Sequence, residues 1–188
     1  SGDGGGVVMI AGEQGIGKPR LARELGRYVE AEGGLFLEGR WTAWEGAEPY
    51  GAIIESLRQA LAPLNLDEVA QVVGPYGRDL ARLLPEVAED TDAPIDDMHP
   101  DPEERRLRLY EAVGTAVRNL CQKQPVVLFL DDIHLAPQMN LQLHLARGLQ
   151  GLRLLIVYAF RANELAERPA LVAGRNELNR SRLATNIS

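Results

Sequence analysis

The sequence predicts an α/β fold in which a central parallel sheet is covered by helices on both faces. Short, continuously apolar runs alternate with stretches whose apolar residues recur at helical spacing. This is the pattern of buried strands connected by crossover helices. A glycine-rich turn follows the first apolar run, and two consecutive aspartates end a later one. Polar chemistry is therefore expected at the carboxyl ends of the strands.

The elements follow in order from these patterns. Strands are predicted at residues 7–11, 35–37, 126–130 and 154–160 because each run is apolar without interruption. Helices are predicted at residues 18–32, 50–62, 67–73, 78–84, 103–122 and 141–149, the second of them starting after Pro49 and ending before Pro63. The stretch 164–188 has sparse apolar residues and predicts a short helix and an edge strand near 183–187.

Two of these helices have a predicted buried face. In the helix at 18–32 the face consists of Leu21, Leu25, Tyr28 and Val29, at helical spacing. In the helix at 103–122 it consists of Leu107, Tyr110, Val113, Val117, Leu120 and Cys121. Cys121 is therefore interpreted as a core residue rather than a nucleophile.

Length and charge narrow the function classes. The 188 residues can bury one core, so residues 1–188 are expected to form a single domain. A net charge of -7 argues against direct nucleic-acid binding, which needs a basic surface. The acids are concentrated at 86–104, and residues 89–102, rich in proline, predict a mobile surface loop. With one cysteine and no long apolar run, the sequence favours a cytoplasmic protein without a membrane span.

Residues 12–18 read Gly-Glu-Gln-Gly-Ile-Gly-Lys, the G-x-x-x-x-G-K pattern of a phosphate-binding loop (Walker A). Glycines allow backbone N–H groups to point inward at a helix N-terminus, where they bind anions, and Lys18 adds a positive charge for the β- and γ-phosphates. The predicted nucleotide-binding residues are Gly12, Glu13, Gln14, Gly15, Ile16, Gly17, Lys18, Pro19 and Arg20.

The pattern departs from the usual loop at Pro19, where Ser or Thr would supply a hydroxyl ligand to Mg²⁺. Proline suits the first turn of a helix. It also removes the hydroxyl and a backbone N–H, so nucleotide binding can persist while magnesium-dependent hydrolysis weakens.

The apolar run 126–130 ends in Asp131 and Asp132. In phosphate-loop proteins a buried strand with such an ending (Walker B) carries an acid on the magnesium side and a carboxylate that polarises the attacking water. Asp131 is the predicted Mg²⁺-side residue and Asp132 the predicted catalytic one. Strand ends often carry acids, so this second motif gains weight from the first.

Residues 12–21, 80–85, 103–117 and 126–134 resemble the ATPase domain of the signal-transduction ATPases with numerous domains, which include MalT-like and large LuxR-type transcriptional regulators. The resemblance implies a P-loop NTPase three-layer sandwich, AAA-like, with strand order 5-1-4-3-2. It implies ATP or ADP with Mg²⁺ as ligands, and a regulatory switch with weak or absent hydrolysis. Arg161, after the fourth strand, matches a family arginine that senses the γ-phosphate; the alternative is a surface arginine at a strand end.

The resemblance also implies partners and missing parts. The family shows His-Trp-Ala-Asp after the paired acids, whereas this chain reads His134-Leu135-Ala136-Pro137. The family's Gly-Arg-Glu segment and its helical lid are absent from this chain. We therefore expect a core fragment of a longer multidomain regulator, whose partners are the other domains of the same polypeptide and a second copy of itself.

Two other functions stay open on the residues alone. A small-molecule P-loop kinase would need arginines over its acceptor, where this chain is acidic and proline-rich. A degenerate scaffold without nucleotide binding would explain Pro19. The remaining polar and aromatic residues are given structural roles: Trp41, Trp44 and Tyr50 at the sheet edge, His134 either orienting Asp132 or filling a strand end, and His99 and His144 without metal-ligand spacing.

Overall fold

The computed structural model describes residues 5–42, 49–90 and 101–187. Most of the predicted loop at 89–102 lies outside these ranges, as do Trp44 and His99. Among the described residues, no helix is both long and apolar enough to cross a membrane.

The described residues form a five-stranded sheet in which every pair of neighbouring strands is parallel. The strands are β1 (Gly6–Ala11), β2 (Leu35–Arg40), β3 (Val126–Asp131), β4 (Leu154–Phe160) and β5 (Ala184–Ile187). Their spatial order is β2-β3-β4-β1-β5, which is 5-1-4-3-2 counted from the other edge. The predicted fold class and strand order are confirmed, and β5 is the predicted edge strand.

Helices connect these strands at the predicted positions. They are α1 (Lys18–Ala31), α2 (Gly51–Leu61), α3 (Leu66–Val73), α4 (Gly77–Ala81), α5 (Pro102–Lys123), α6 (Asn140–Arg147), α7 (Ala162–Ala166) and α8 (Pro169–Arg180). The C-terminal region was predicted to hold one short helix but has two, of which α8 has 12 residues. Strand β2 also continues to Arg40, three residues beyond its predicted end.

The two faces of the sheet are covered unequally. On one face the strands share a large apolar cluster with residues of α2, α5, α6 and α8. On the other face lies a smaller cluster whose helical members among the described residues, Ala22, Leu25 and Val29, all belong to α1. The strand residues Val8 and Ile10 are only partly buried there. Most of the hydrophobic stabilisation therefore comes from the larger cluster.

The predicted buried face of α1 is partly wrong. Leu21 and Tyr28 are 48% and 67% exposed, whereas the helix buries Ala22, Gly26 and Val29. A side chain at Gly26 would lie 2.9 Å from the ring of Phe36. Small residues thus allow α1 to approach the sheet closely. The spacing of the larger apolar residues could not predict that the buried face of α1 consists of small ones. Leu107 is likewise exposed on α5, while the other predicted members of that face are buried.

Helix α2 packs against β2 at a point that only glycine allows. A Cβ at Gly39 would lie 1.8 Å from the carbonyl oxygen of Ala52. The contact fixes the carboxyl end of β2, and therefore the next residue, Arg40, in register opposite Asp131 of β3.

Candidate functional site

The predicted phosphate-binding loop joins β1 to α1 at the carboxyl end of the sheet. The Gly12 N–H donates to the Phe160 carbonyl at 3.0 Å, tying the start of the loop to the neighbouring strand β4. Gly15 and Gly17 have φ angles of 83° and 106°, which residues other than glycine rarely adopt. We call residues 12–18 the glycine-rich loop. Its backbone curls immediately before a helix N-terminus, the arrangement that binds anions.

Lys18 is the first residue of α1 and its side chain points back into the loop. Its relative exposure is 8%, and its ammonium donates to the carbonyls of Gly12 at 2.8 Å and Glu13 at 2.9 Å. A lysine ammonium has three donor hydrogens. Two are used here, and the third can bind a phosphate oxygen, so the loop fits the triphosphate of a nucleotide.

The other predicted binding residues lie around this cation. Glu13, Gln14, Gly15, Ile16, Pro19 and Arg20 are exposed, and Gly12 and Gly17 are partly buried. Pro19 stands in the first turn of α1, which nevertheless begins at Lys18. The proline is therefore compatible with the loop, but it offers no hydroxyl. The roles of these residues in binding stay predictions.

Strand β3 is buried along its whole length and delivers the acid pair. Asp131 is almost fully buried, and both of its carboxylate oxygens already accept hydrogen bonds. Oδ2 accepts from Arg40 Nη2 at 2.9 Å, and Oδ1 accepts from the backbone N–H of Asp132 at 2.8 Å. Asp131 lies at the end of β3, as predicted, but its carboxylate is already hydrogen-bonded by Arg40 and by the Asp132 N–H.

Asp132 begins a 3-10 turn with φ 56° and ψ 37°, a left-handed conformation that aspartate adopts more readily than most residues. Its carboxylate lies 3.7 Å from Arg40 Nε and 3.8 Å from His134 Nε2. Two cationic or ionisable groups therefore border the predicted catalytic acid. The catalytic role of Asp132 stays a prediction.

Arg161 and His134 meet at a residue that the sequence did not single out, Glu164 of α7. One Glu164 oxygen accepts from Arg161 and the other lies 3.1 Å from His134 Nε2. The chain Asp132–His134–Glu164–Arg161 thus links the acid pair to the predicted sensor. His134 is 1% exposed, so it is fully rather than partly buried, and its Nε2 contacts this polar network.

Charges around this network shift two pKa values. Burial lowers the pKa of His134, assisted by the charge of Arg161 and opposed by the carboxylates of Asp132, Glu164 and Asp131. The hydrogen bond from Arg161 lowers the pKa of Glu164. His134 therefore prefers its neutral form beside an ionised Glu164, although its Nδ1 is buried without a partner.

Arg40 is the second residue that sequence reasoning missed. Burial opposes its charge, but the hydrogen bond and the charges of Asp131, with those of Asp132 and Glu38, raise its pKa overall. The strand predicted at 35–37 stopped short of this residue. Extending the predicted strand by three residues would have made Arg40 its last residue, beside the acid pair.

The donors at the acid pair are partly used by the protein itself. Pro19 supplies no hydroxyl, and each Asp131 oxygen already accepts one hydrogen bond. In the described ranges no group of three or more His, Cys, Asp or Glu side chains could hold a metal ion, so Mg²⁺ would need phosphate and water ligands beside a carboxylate. Mg²⁺ at Asp131 would have to compete with Arg40 for Oδ2.

The other residues assigned structural roles are in the core or in contacts. Trp41 is buried and donates from Nε1 to the Pro49 carbonyl at 3.3 Å. Tyr50 packs edge-on against Tyr110, with ring centroids 6.0 Å apart. Burial raises the pKa of the Cys121 thiol to about 11, which agrees with a core residue rather than a nucleophile.

A glycine-rich loop after β1 and an acid pair after β3, in a parallel sheet of this order, define a P-loop NTPase fold. A family model of the AAA ATPase domain matches residues 1–157, and the chain belongs to this family. Membership implies nucleotide binding, typically with Mg²⁺. The comparison with curated proteins gave no match.

Proposed function

We propose that this domain is a regulatory switch that binds ATP or ADP and hydrolyses ATP weakly or not at all, within a signalling or transcriptional regulator of the MalT-like and LuxR-type class. The observation that carries the proposal is the contrast within the site. Lys18 lies almost buried in an anion-binding loop with a donor to spare, whereas the Asp131 carboxylate is already hydrogen-bonded on both oxygens. The first feature favours binding and the second disfavours hydrolysis.

Weak hydrolysis has a physical basis in the acid pair. In phosphoryl transfer the metal neutralises charge that develops on the phosphate oxygens, and its placement accounts for much of the rate. Pro19 removes one metal ligand and Arg40 occupies another. Asp132 is the residue that would polarise water, and Arg40 and His134 both border it.

Arg161 supports a switching role. In the described structure its guanidinium donates to Glu164, a pair of the kind that a phosphate can compete for because guanidinium binds carboxylate and phosphate alike. We propose that Arg161 senses the γ-phosphate by exchanging Glu164 for it. The exchange would alter the contact between α7 and the turn that carries His134, and so report which nucleotide is bound.

The uneven cover of the sheet supports partners within a longer polypeptide. Leu21 and Tyr28 of α1 are exposed on the side where the sheet face is least covered, and exposed apolar residues of this kind mark interaction surfaces. We propose that other domains of the same polypeptide, or a second copy of this one, contact α1. The acidic net charge of -7 supports a domain that does not itself bind nucleic acid, and its single cysteine supports a cytoplasmic one.

Titration calorimetry with ATP and ADP, followed by phosphate release, tests the proposal. We expect nucleotide to bind and phosphate release to be slow. Ligand at 100 times its Kd should also add about 2.7 kcal/mol to the free energy of unfolding. Rapid phosphate transfer to a small acceptor would instead show a kinase, and the absence of binding would show a scaffold that no longer binds nucleotide.

A further inference from the structure

The strand next to the acid pair ends in a cation. In the ladder between β2 and β3, Arg40 lies directly opposite Asp131, and its guanidinium reaches both acids, at 2.9 Å for Asp131 and 3.7 Å for Asp132. Arginine keeps its charge at all accessible pH values. The two carboxylates therefore have a permanent positive partner that belongs to the chain.

The backbone fixes Arg40 in this position. Its N–H donates to Glu55 Oε2 of α2 at 3.0 Å, and the next N–H, of Trp41, donates to the Asp131 carbonyl at 3.3 Å. The close approach at Gly39 holds α2 against the strand. Because β3 and α2 both fix the end of β2, the guanidinium of Arg40 is held facing Asp131 rather than reaching it by chance.

The backbone of Arg40 lies far from the glycine-rich loop, and its guanidinium contacts the acid pair. Strands β4 and β3 lie between β1 and β2, and three strand spacings are about 14 Å. Asp131, only two strands from β1, is about 10 Å away. Arg40 is therefore a positioning residue that acts through Asp131, the acid on the metal side.

We propose that Arg40 is the resident counter-cation of Asp131 and Asp132 and competes with Mg²⁺ for the Asp131 carboxylate, so that this domain binds nucleotide with little dependence on Mg²⁺. The proposal rests on nucleotide binding at the glycine-rich loop. The guanidinium already balances one of the two acidic charges, that of Asp131, so a bound nucleotide is repelled less by the acid pair when Mg²⁺ is absent. A metal ion gains less there because it must compete with Arg40 for Asp131 Oδ2.

Titration calorimetry with ADP, in excess Mg²⁺ and in EDTA, tests this on wild type and Arg40→Gln. In wild type the two dissociation constants should agree within about threefold, because Arg40 already balances the charge of Asp131. In Arg40→Gln the carboxylates lose their partner, so ADP should bind at least about tenfold more weakly in EDTA than in Mg²⁺, the size of effect expected for one charge-assisted contact.

Two further variants separate the role in charge balance from a role in folding. Arg40→Lys keeps a cation beside Asp131 and should retain the wild-type ratio of dissociation constants. Arg27→Gln removes an arginine that also pairs with a carboxylate at 2.9 Å, but on the exposed surface of α1, and should leave the ratio unchanged.

The outcomes are distinct. A wild-type ratio of about tenfold or more, or an Arg40→Gln ratio equal to that of wild type, would overturn the role of Arg40 while leaving nucleotide binding intact. No ADP binding in either buffer would refute the proposed function itself, and the inference with it. If Arg40→Gln does not fold, as thermal unfolding by circular dichroism would show, a wild-type ratio of about tenfold or more still overturns the proposal.

Discussion

The glycine-rich loop and the acid pair stand at the ends of strands β1 and β3, and they differ in how their charges are met. Around the loop, one buried ammonium binds two backbone carbonyls, and most of the loop residues are exposed. Around the acid pair, charges are met by side chains and N–H groups from β2 and from the turn after β3. One region is open to an anionic ligand, and in the other Arg40 already balances one of the two acidic charges. Under the proposed function, nucleotide binding and hydrolysis would therefore be controlled by separate regions of one sheet.

Replacing Lys18 should have the largest effect, because it removes the only cation that the loop holds. Lys18→Ala should weaken ATP binding at least about tenfold, as losing a charge-assisted contact costs about 1.5–3 kcal/mol. Titration calorimetry measures it. Lys123→Ala, at the exposed end of α5, replaces the chain's other lysine and should bind ATP like wild type. Equal affinity in both variants would mean that the loop is not the binding site.

Pro19→Thr sharpens the comparison from the metal side. Threonine restores a hydroxyl and a backbone N–H, so the dependence of ATP affinity on Mg²⁺ and the rate of phosphate release should both rise. Arg40 still binds Asp131 in Pro19→Thr, so the rise in Mg²⁺ dependence should be smaller than in the double variant Pro19→Thr/Arg40→Gln. The effects of the two substitutions on Mg²⁺ dependence should not be additive, because both act on the binding of the same Mg²⁺ ion. Stability should change by only about 0.4–1 kcal/mol. Calorimetry with and without Mg²⁺ tests this, and unchanged dependence in the double variant would contradict it.

Glu164→Gln should have a moderate effect on discrimination between nucleotides. It weakens the partner that holds Arg161, so the ratio of ATP affinity to ADP affinity should increase about two- to threefold, the range of a partly exposed ion pair. Competition binding of the two nucleotides gives the ratio. Glu177→Gln, which breaks the exposed pairs with Arg147 and Arg180, serves as the control. A ratio unchanged from wild type would remove Arg161 from the sensing role.

The smallest effect is expected from the protonation of His134, whose pKa burial lowers. In the unfolded chain a histidine has a pKa of about 6.5. The stability contributed by neutral His134 is therefore present above that pH, and it is lost as pH falls from there toward the lower pKa of the folded state. Urea unfolding at several pH values measures the loss. It should be smaller in His134→Asn than in wild type or His144→Asn, and equal losses in all three would contradict this reading.

The sheet was predictable because its information is local. Four apolar runs, the turn glycines and the two motifs fix four strand positions, and family resemblance supplied the order that the structure confirms. The buried face of α1 was not predictable from apolar spacing, because Ala22 and Gly26 bury through small size rather than hydrophobicity. Spacing rules identify large apolar side chains, and here two of those are exposed.

Lys18, Asp131 and Asp132 could be identified as site candidates because each belongs to a short motif. Arg40 and Glu164 could not, because their importance depends on strand register and on the position of α7, which bring residues 91 and 30 positions apart into contact. Charged residues at strand ends are common, and the strand order that the resemblance implies does not give the register that sets Arg40 opposite Asp131. The residues that balance charge at the site are therefore the ones that require the structure.

At the β2 edge of the sheet, a glutamine side-chain amide makes the hydrogen bonds that the backbone of a neighbouring strand would make. Gln59 of α2 donates from its amide to the Glu38 carbonyl at 2.8 Å, and its Oε1 accepts from the Glu38 N–H at 3.1 Å. An unpaired strand edge is a template for aggregation with other chains. Here the Gln59 amide pairs with the N–H and the carbonyl of Glu38, the two groups of that residue that a sixth strand would use. Copies of this protein that meet edge to edge will therefore find no free hydrogen-bonding partner at Glu38, and growth into a continuous intermolecular sheet is blocked at that position.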